Sequence, residues 1–590
     1  MELTASEFVL LLLASVVSYY PLQLDQSVHP KDLADCYFCD GIIYDFIIVG
    51  AGSAGCVVAN RLTENPNWNV LLIEAGGDEN FVTDVPLFYQ QLSQTRFNWN
   101  YTTINQPKAC LSTGGVCDYP RGKGMGGSST TNAMMYVRGN RADFDEWEKE
   151  GNPGWGYKSV LPYFLRSENV TAPDLKGSPF HSNEGPLSVG YARYKSRFRD
   201  DLINAGKDFG LAERDYNGIN QNGIGVTQLT VDGPNRCSTS KAFLNPIKHR
   251  RNLYIFKNSH ATKVLINRFT KKALGVEFVH KRRRRRAFAV KEVILSAGAI
   301  NTPQLLMLSG VGPRRHLEKH NISVIADLPV GKNLQDHNLL GIQFLVNEQV
   351  NIINSTFLNS SAILEYAKNK SGILTTNGID ALAFFNLKKN DFLPPEIQFH
   401  LTTLTPNRDN LPIVVIGLTL LDPKSRGFVK LNSPDPFDKP LIHPNYYGRK
   451  SDFERTAAGV KEAINFMSTD ALKRYDPRLV TRTVPTCAPL INISLDTYLN
   501  CYIQYHTRTI YHPIGTAKMG PKSDKSAVVD PELQVYGISH LRVIDASIMP
   551  KITRGNTNAP VIMIGEKGAD LIKKKYGTSI LSLLLSWARK

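Results

Sequence analysis

The chain has 590 residues, 42% of them hydrophobic and 21% charged, which excludes a disordered or low-complexity protein and allows two or three domains with sizeable cores. The formal net charge of +16 raises the question of a nucleic-acid partner. Much of that charge is concentrated in Lys281–Arg286 and Lys573–Lys575, with no nucleic-acid motif or aromatic ladder beside them, so a solvated basic surface is expected and nucleic acid is not.

In chain order, Phe8–Val17 is an apolar run too short for a bilayer span, which needs about 20 residues. It fits the apolar region of a secretory signal over residues 1–20, although acidic Glu2 is atypical there. Sequons at Asn100, Asn169, Asn321, Asn354, Asn359, Asn369 and Asn492 agree with export, so a secreted protein with no stable membrane span after signal removal is expected. Cys110/Cys117 and Cys487/Cys501 are close enough in sequence to close short loops as disulfides. Cys36 and Cys39 form a surface disulfide or idle thiols, and Cys56 and Cys237 are buried thiols. No metal spacing is found among the histidines and cysteines.

The apolar stretch Ile42–Val49 reads as a buried strand. Gly50-Ala-Gly-Ser-Ala-Gly55 follows, and then a helical pattern over Cys56–Leu62. Strand, glycine turn and helix make a dinucleotide site: Gly50 for the turn, Gly52 for approach of a pyrophosphate, Gly55 for helix packing. A second strand, Asn69–Ile73, ends in Glu74, placed to accept from a ribose hydroxyl. NAD and FAD both fit this stretch. Asp78–Cys117 is an aperiodic excursion. Arg121–Gly127 is a second glycine-rich turn, expected to enter a second helix and to add N–H donors for the cofactor. Asn252–Phe256, Lys263–Asn267, Ala273–Val279 and Glu292–Ala299 read as further strands, with Lys281–Arg286 as a hairpin tip and Thr302–Ser309 as a helix. A polybasic run in an exported chain is also a candidate processing site. Pro412–Leu421 and Gly427–Leu431 read as antiparallel strands. The apolar tail Ser579–Lys590 is too short to span a bilayer.

The two glycine turns together resemble the glucose–methanol–choline (GMC) oxidoreductase family, which uses FAD. Further segments resemble the same family in order: Gly233–Pro246, Lys291–Gly312, Gly331–His337, Ser425–Gly427, Tyr511–Gly520 and Gly555–Asp570. The overall texture is most similar to the insect branch that includes FAD–quinone glucose dehydrogenases. The resemblance implies an α/β Rossmann-like FAD-binding domain at 43–340 and an α+β substrate domain on an antiparallel sheet at 341–510. It further implies a return to the FAD domain at 511–576, the family's C-terminal part covering about 425–570.

It also implies that FAD is held by Gly50, Gly52, Ser53, Ala54, Gly55 and Glu74 from the first motif. Arg121, Gly126, Gly127, Ser128, Thr130 and Asn132 would serve from the second, and Val264, Asp545, Ala546 and Thr557 from later segments. Thr131 stands where some relatives carry a flavin-linking histidine, so the FAD is expected to be non-covalent. Alcohol oxidation needs a positioned base for the hydroxyl proton and a hydride acceptor. The resemblance places the base at His512 and an orienting hydrogen-bond donor at Asn558, with Asn556 as the alternative; His337 reads as structural. The expected function is a secreted FAD-dependent oxidase or dehydrogenase of a small-molecule alcohol, with oxygen or a quinone as acceptor. The alternative is an inactive secreted binding protein on the same fold.

Overall fold

The structure is a computed structural model that describes residues 29–35, 42–350, 360–403, 411–481 and 484–577. The N-terminal apolar run, Cys36, Cys39, Asn354, Asn359 and the C-terminal tail lie outside the described residues. Among the described residues no helix is long and apolar enough to cross a membrane.

The elements that position the site are, in chain order, β1 (Ile43–Val49), α1 (Gly55–Leu62), β2 (Val70–Ile73), β3 (Gly223–Val226), β4 (Leu253–Phe256), β5 (Ser259–Ile266), β6 (Ala273–His280) and β7 (Arg283–Leu295). They continue with α2 (Gly298–Leu308), β8 (Asn338–Leu345), β9 (Ile379–Phe385), β10 (Ile397–Thr402), β11 (Ile413–Leu420), α3 (Lys450–Met467), β12 (Leu541–Val543) and α4 (Asn558–Tyr576).

The first sheet has the order β4-β2-β1-β7-β6-β5, with β12 also beside β7. Strands β4, β2, β1, the C-terminal half of β7 and β12 are mutually parallel, and β5-β6-β7 form an antiparallel meander. The parallel part is covered on both faces, which is why β1 and β2 read as unbroken apolar runs rather than alternating ones. Lys281 and Arg282 alone make the β6–β7 turn, both with positive φ; Arg283–Arg286 already belong to β7. The basic run is therefore a strand end with its turn, not a hairpin tip throughout.

The second sheet, β8-β11-β10-β9-β3, is antiparallel. Strand β3 comes from before residue 341, so this sheet draws on the earlier part of the chain as well. Its strands alternate. Leu340, Ile342, Phe344, Ile397, Phe399, Leu401, Val414, Ile416 and Leu418 face a core shared with Val460, Ala463 and Phe466 of α3. The intervening residues Leu339, Gly341, Gln343, His400, Thr402, Val415 and Gly417 line a cavity instead. A period of two thus separates a structural face from a functional one.

The chain returns to the first sheet at β12, and α4 packs on α1. A buried ion pair holds this return: Arg542 Nη2 lies 3.2 Å from Glu292 Oε1 and its Nε 2.5 Å from Oε2, with Lys575 Nζ 2.9 Å away. Cys110–Cys117 and Cys487–Cys501 are paired, each with Cα atoms 5.6 Å apart, while Cys56 and Cys237 are buried and unpaired.

Removing Arg542 leaves the buried Glu292 with only Lys575 and the Tyr576 hydroxyl as side-chain partners. Arg542→Ala is therefore expected to cost about 3 kcal/mol, the low end for breaking a buried pair, seen as a lower urea midpoint, with Arg542→Lys retaining part of the stability.

Candidate active site

The two glycine turns meet. Gly50 has φ +101 and Gly127 has φ +53, conformations that L side chains rarely adopt. A Cβ on Gly127 would lie 2.7 Å from the Cα of Gly52, and one on Gly55 would lie 1.9 Å from the Gly50 carbonyl oxygen. Glu74 ties both turns together. Its Oε2 accepts from the Ala51 N–H at 2.9 Å, and its Oε1 from the N–H groups of Gly76 (2.9 Å) and Gly124 (3.1 Å). Burial pushes the Glu74 carboxyl up, and the three backbone donors oppose that.

The expected second helix is only one turn, Ser128–Thr131, after which the chain runs extended. The left-handed Met134 stands in this stretch. Arg121 links this turn to the far side of the site, donating to the Tyr511 carbonyl at 2.6 Å and to Ser128 Oγ at 2.8 Å. Asp545, buried, accepts from the Gly298 N–H at 2.9 Å and Thr302 Oγ1 at 2.6 Å, and so fixes the start of α2.

These elements surround a cavity of about 1150 Å³. That exceeds the roughly 300–1,000 Å³ of ordinary small-molecule sites, so a dinucleotide and a substrate can share it. Gly50, Gly52, Ser53, Ala54, Glu74, Arg121, Gly127 and Ser128 line it, as do Asn132, Asp545, Ala546, Thr557, Asn558 and His512. Four expected contacts are not on its wall. Gly55 supports helix packing; Gly126 gives its N–H to the Ala51 carbonyl at 2.8 Å; Thr130 Oγ1 donates to the Met125 carbonyl at 2.8 Å. Val264 is fully buried in the core, where its N–H meets Ser309 Oγ at 2.8 Å. Ala261, on the same strand, takes the place on the cavity wall.

At the other end stands His512. Its backbone N–H donates to Asp336 Oδ1 at 2.8 Å, and Asp336 Oδ2 accepts from Tyr119 Oη (2.8 Å), Thr509 Oγ1 (2.7 Å) and Tyr446 Oη. Its imidazole belongs to a polarised chain. The Leu421 carbonyl can only accept, so His337 Nε2, 3.0 Å away, carries the proton. Burial holds His337 down to about 4, so it is neutral and its Nδ1 is an acceptor. His512 Nδ1, 3.0 Å from that atom, is therefore the donor, and the lone pair of His512 sits on Nε2. Burial, and then the electrostatic influence of His337, His400 and Arg121, also hold His512 well below its usual pKa.

The partner of Nε2 is Asn556, whose Nδ2 lies 3.2 Å away. Gln398 Nε2 donates to Asn556 Oδ1 at 3.3 Å, which fixes the amide with its NH₂ toward His512. This corrects the expectation for Asn558: that side chain accepts from Ser53 Oγ at 2.7 Å at the start of α4. Two residues along the chain at a helix entry point in different directions, and the spacing alone did not separate them. His337 is likewise part of the site rather than only structural. Gln398 and His400 were missed. Their signal is the polar alternation Ile397-Gln-Phe-His-Leu-Thr402 in an otherwise apolar strand.

A glycine-cradled dinucleotide site is thus joined, at the far end of one cavity, to a buried histidine whose Nε2 faces the Asn556 amide. Residues 44–339 and 423–565 match the N-terminal and C-terminal GMC oxidoreductase profiles. The chain is 39% identical over 560 residues to glucose dehydrogenase [FAD, quinone] of Drosophila melanogaster, covering 92% of this chain and 89% of that protein. It is 38% identical to alcohol dehydrogenase [acceptor] of Pseudomonas putida, covering 93% and 99%. Among solved structures, pyridoxine 4-oxidase from Mesorbium loti superposes with a TM-score of 0.79 at 28% identity, covering 91% and 99%. The chain belongs to the GMC oxidoreductase family, and its cofactor is FAD. The glycine contact at Gly52 and Gly127, which a Cβ would fill, and the Glu74 tie suit that cofactor.

Gly127→Ala forces a side chain into the Gly52 backbone. The purified variant is expected to carry much less FAD, read as a lower ratio of 450 nm to 280 nm absorbance that added FAD does not restore.

Proposed function

We propose that the protein oxidises an alcohol to the carbonyl compound, with His512 as base and Asn556 as orienting donor. The observation that carries this reading is the lone pair on His512 Nε2, held by the His337 chain and faced by the Asn556 amide. The alcohol O–H donates to Nε2, and the proton passes to that atom as the hydride leaves the carbon. Bound FAD supplies the hydride acceptor. Asn556 Nδ2–H donates to the oxygen as negative charge develops there, in a site where burial strengthens such a bond. The lowered pKa favours the unprotonated form of His512, which can accept the proton.

Gly50, Gly52, Ser53, Ala54, Glu74, Arg121, Gly127, Ser128, Asp545 and Ala546 would hold the FAD. Thr131 on the cavity wall has no imidazole to link the flavin, which favours a non-covalent cofactor. The name of the Drosophila melanogaster relative, glucose dehydrogenase [FAD, quinone], supports a quinone acceptor. Export is part of the proposal. The two disulfides suit an oxidising compartment, and Asn100, Asn321, Asn369 and Asn492 are exposed sequons.

His512→Ala is expected to lower kcat by about 10²–10⁴-fold, and Asn556→Ala by about 10²–10³-fold. Asn558→Ala is expected to reduce FAD retention before it reduces kcat. Wild-type turnover in His512→Ala would remove it as base, and an inert wild type across a broad alcohol panel would favour a binding protein.

Because a lowered histidine pKa preserves the base form below the usual 6.5, the acid limb of kcat/KM against pH should fall below pH 6.5. A plateau reached only above pH 7 would contradict this. Running the panel with oxygen and with a quinone dye tests the acceptor.

A further inference from the structure

The cavity face of β10 carries one more polar group that the reaction as derived does not use. His400 is 3% exposed and lines the cavity. Its Nδ1 lies 3.1 Å from the Gly417 carbonyl, which can only accept, so Nδ1 carries the proton. Burial holds the ring down to about 4, so it is neutral and its Nε2 is a bare acceptor. That Nε2 is buried with no hydrogen-bond partner. The tautomer cannot reverse without setting a lone pair against the carbonyl. An unmet buried acceptor is destabilising, and an occupant that donates to it recovers that cost.

The surroundings leave room for such an occupant. Gly417 stands opposite His400 in the β10–β11 register, and Gly341 faces the same cavity from β8. A Cβ on Gly417 would press to 3.1 Å from Leu339 Cδ1 and 3.2 Å from His400 Cβ, whereas one on Gly341 would meet only Val415 Cγ1, at 3.5 Å. Leu339, Val415 and Ile379 make the nearby walls apolar. His400 is also two residues from Gln398, which holds Asn556 beside His512. Residues two apart on a strand share a face, so His400 and Gln398 project to the side of the sheet where His512 and Asn556 lie.

We propose that His400 determines substrate specificity by accepting a hydrogen bond from a second hydroxyl of the alcohol. The preferred donors are then diols, polyols or sugars rather than lone alcohols. This rests on the alcohol-oxidation reading above and names the substrate class for that site.

The test uses the FAD-loaded enzyme with matched pairs: cyclohexanol against cyclohexane-1,3-diol and cyclohexane-1,4-diol, and trans-4-aminocyclohexanol as a donor of different chemistry. In the wild type, kcat/KM for the better diol should exceed that for cyclohexanol by about tenfold or more, the factor that corresponds to about 1.4 kcal/mol. His400→Leu should reduce that ratio to within about twofold, and His400→Gln, which keeps an acceptor, should restore part of it; FAD content and thermal midpoint establish that both variants fold. Equilibrium binding of the same pairs to enzyme whose FAD has been reduced beforehand gives the same comparison without turnover. A diol preference in binding that His400→Leu abolishes supports the subsite even if no alcohol in the panel is oxidised, an outcome that overturns only the alcohol-oxidation reading. No diol preference in the wild type, survival of the preference in His400→Leu, or an equal loss for diol and lone alcohol overturns the proposal. Preference for the aminoalcohol over both diols overturns the assignment to a hydroxyl.

Discussion

Two backbones touch in this protein where side chains would forbid it. The contact of Gly52 with Gly127 brings the first nucleotide turn against a turn from more than seventy residues later. Neither glycine is there for flexibility. Gly127 occupies a left-handed conformation, and the Cβ that any other residue would bring has no free volume to enter. Glu74 makes the contact durable by accepting N–H groups from both turns and from its own. A carboxylate fully removed from water is costly unless its lone pairs are met. Three backbone donors meet them here, so Glu74 organises the cradle as well as lining it.

The far end of the cavity depends on a different constraint, the alternation of the second sheet. One face of β8, β10 and β11 closes on α3; the other is left to the site. Gln398 and His400 sit among Ile397, Phe399 and Leu401 without disturbing the core because they point the other way, His400 onto the cavity wall and Gln398 to Asn556. The sheet therefore delivers polar atoms to this end of the cavity at fixed spacing. It also gives Asn556 its orientation through Gln398, so a residue at the end of the chain is held by a strand more than 150 positions earlier.

The parts of this arrangement legible in the sequence are those where one local segment carries the whole requirement. Gly50–Gly55 followed by a strand ending in Glu74 is such a segment, and so is the histidine in Tyr511–Thr516. The one-turn Ser128–Thr131 helix was not legible, because glycines followed by serine and threonine are equally the start of a longer helix. The inward direction of Val264 and the turn of Asn558 toward Ser53 were not legible for a related reason. A strand places alternate residues on opposite faces, and a helix entry turns about 100° per residue, so a small offset moves a side chain out of the site. His337 was hidden because its role lies in a hydrogen bond to a residue 175 positions away, and no local pattern reports that.

Three imidazoles, His337, His400 and His512, share this low-dielectric end of the cavity, and each is neutral. Burial lowers His512 and His337 first, and the proximity of His337 and His400 to His512, and of His400 to His337, works in the same direction. A proton on any one of them raises the cost of a proton on the others. The two backbone carbonyls then decide where a proton can go: Leu421 and Gly417 each demand an N–H, which leaves His337 Nδ1 and His400 Nε2 as acceptors. His337 spends its lone pair on His512, and the network ends at His512 Nε2 beside Asn556. The open lone pair of this network is thereby set at one atom, and the direction of the whole chain is fixed by the carbonyl of Leu421, just past the end of β11.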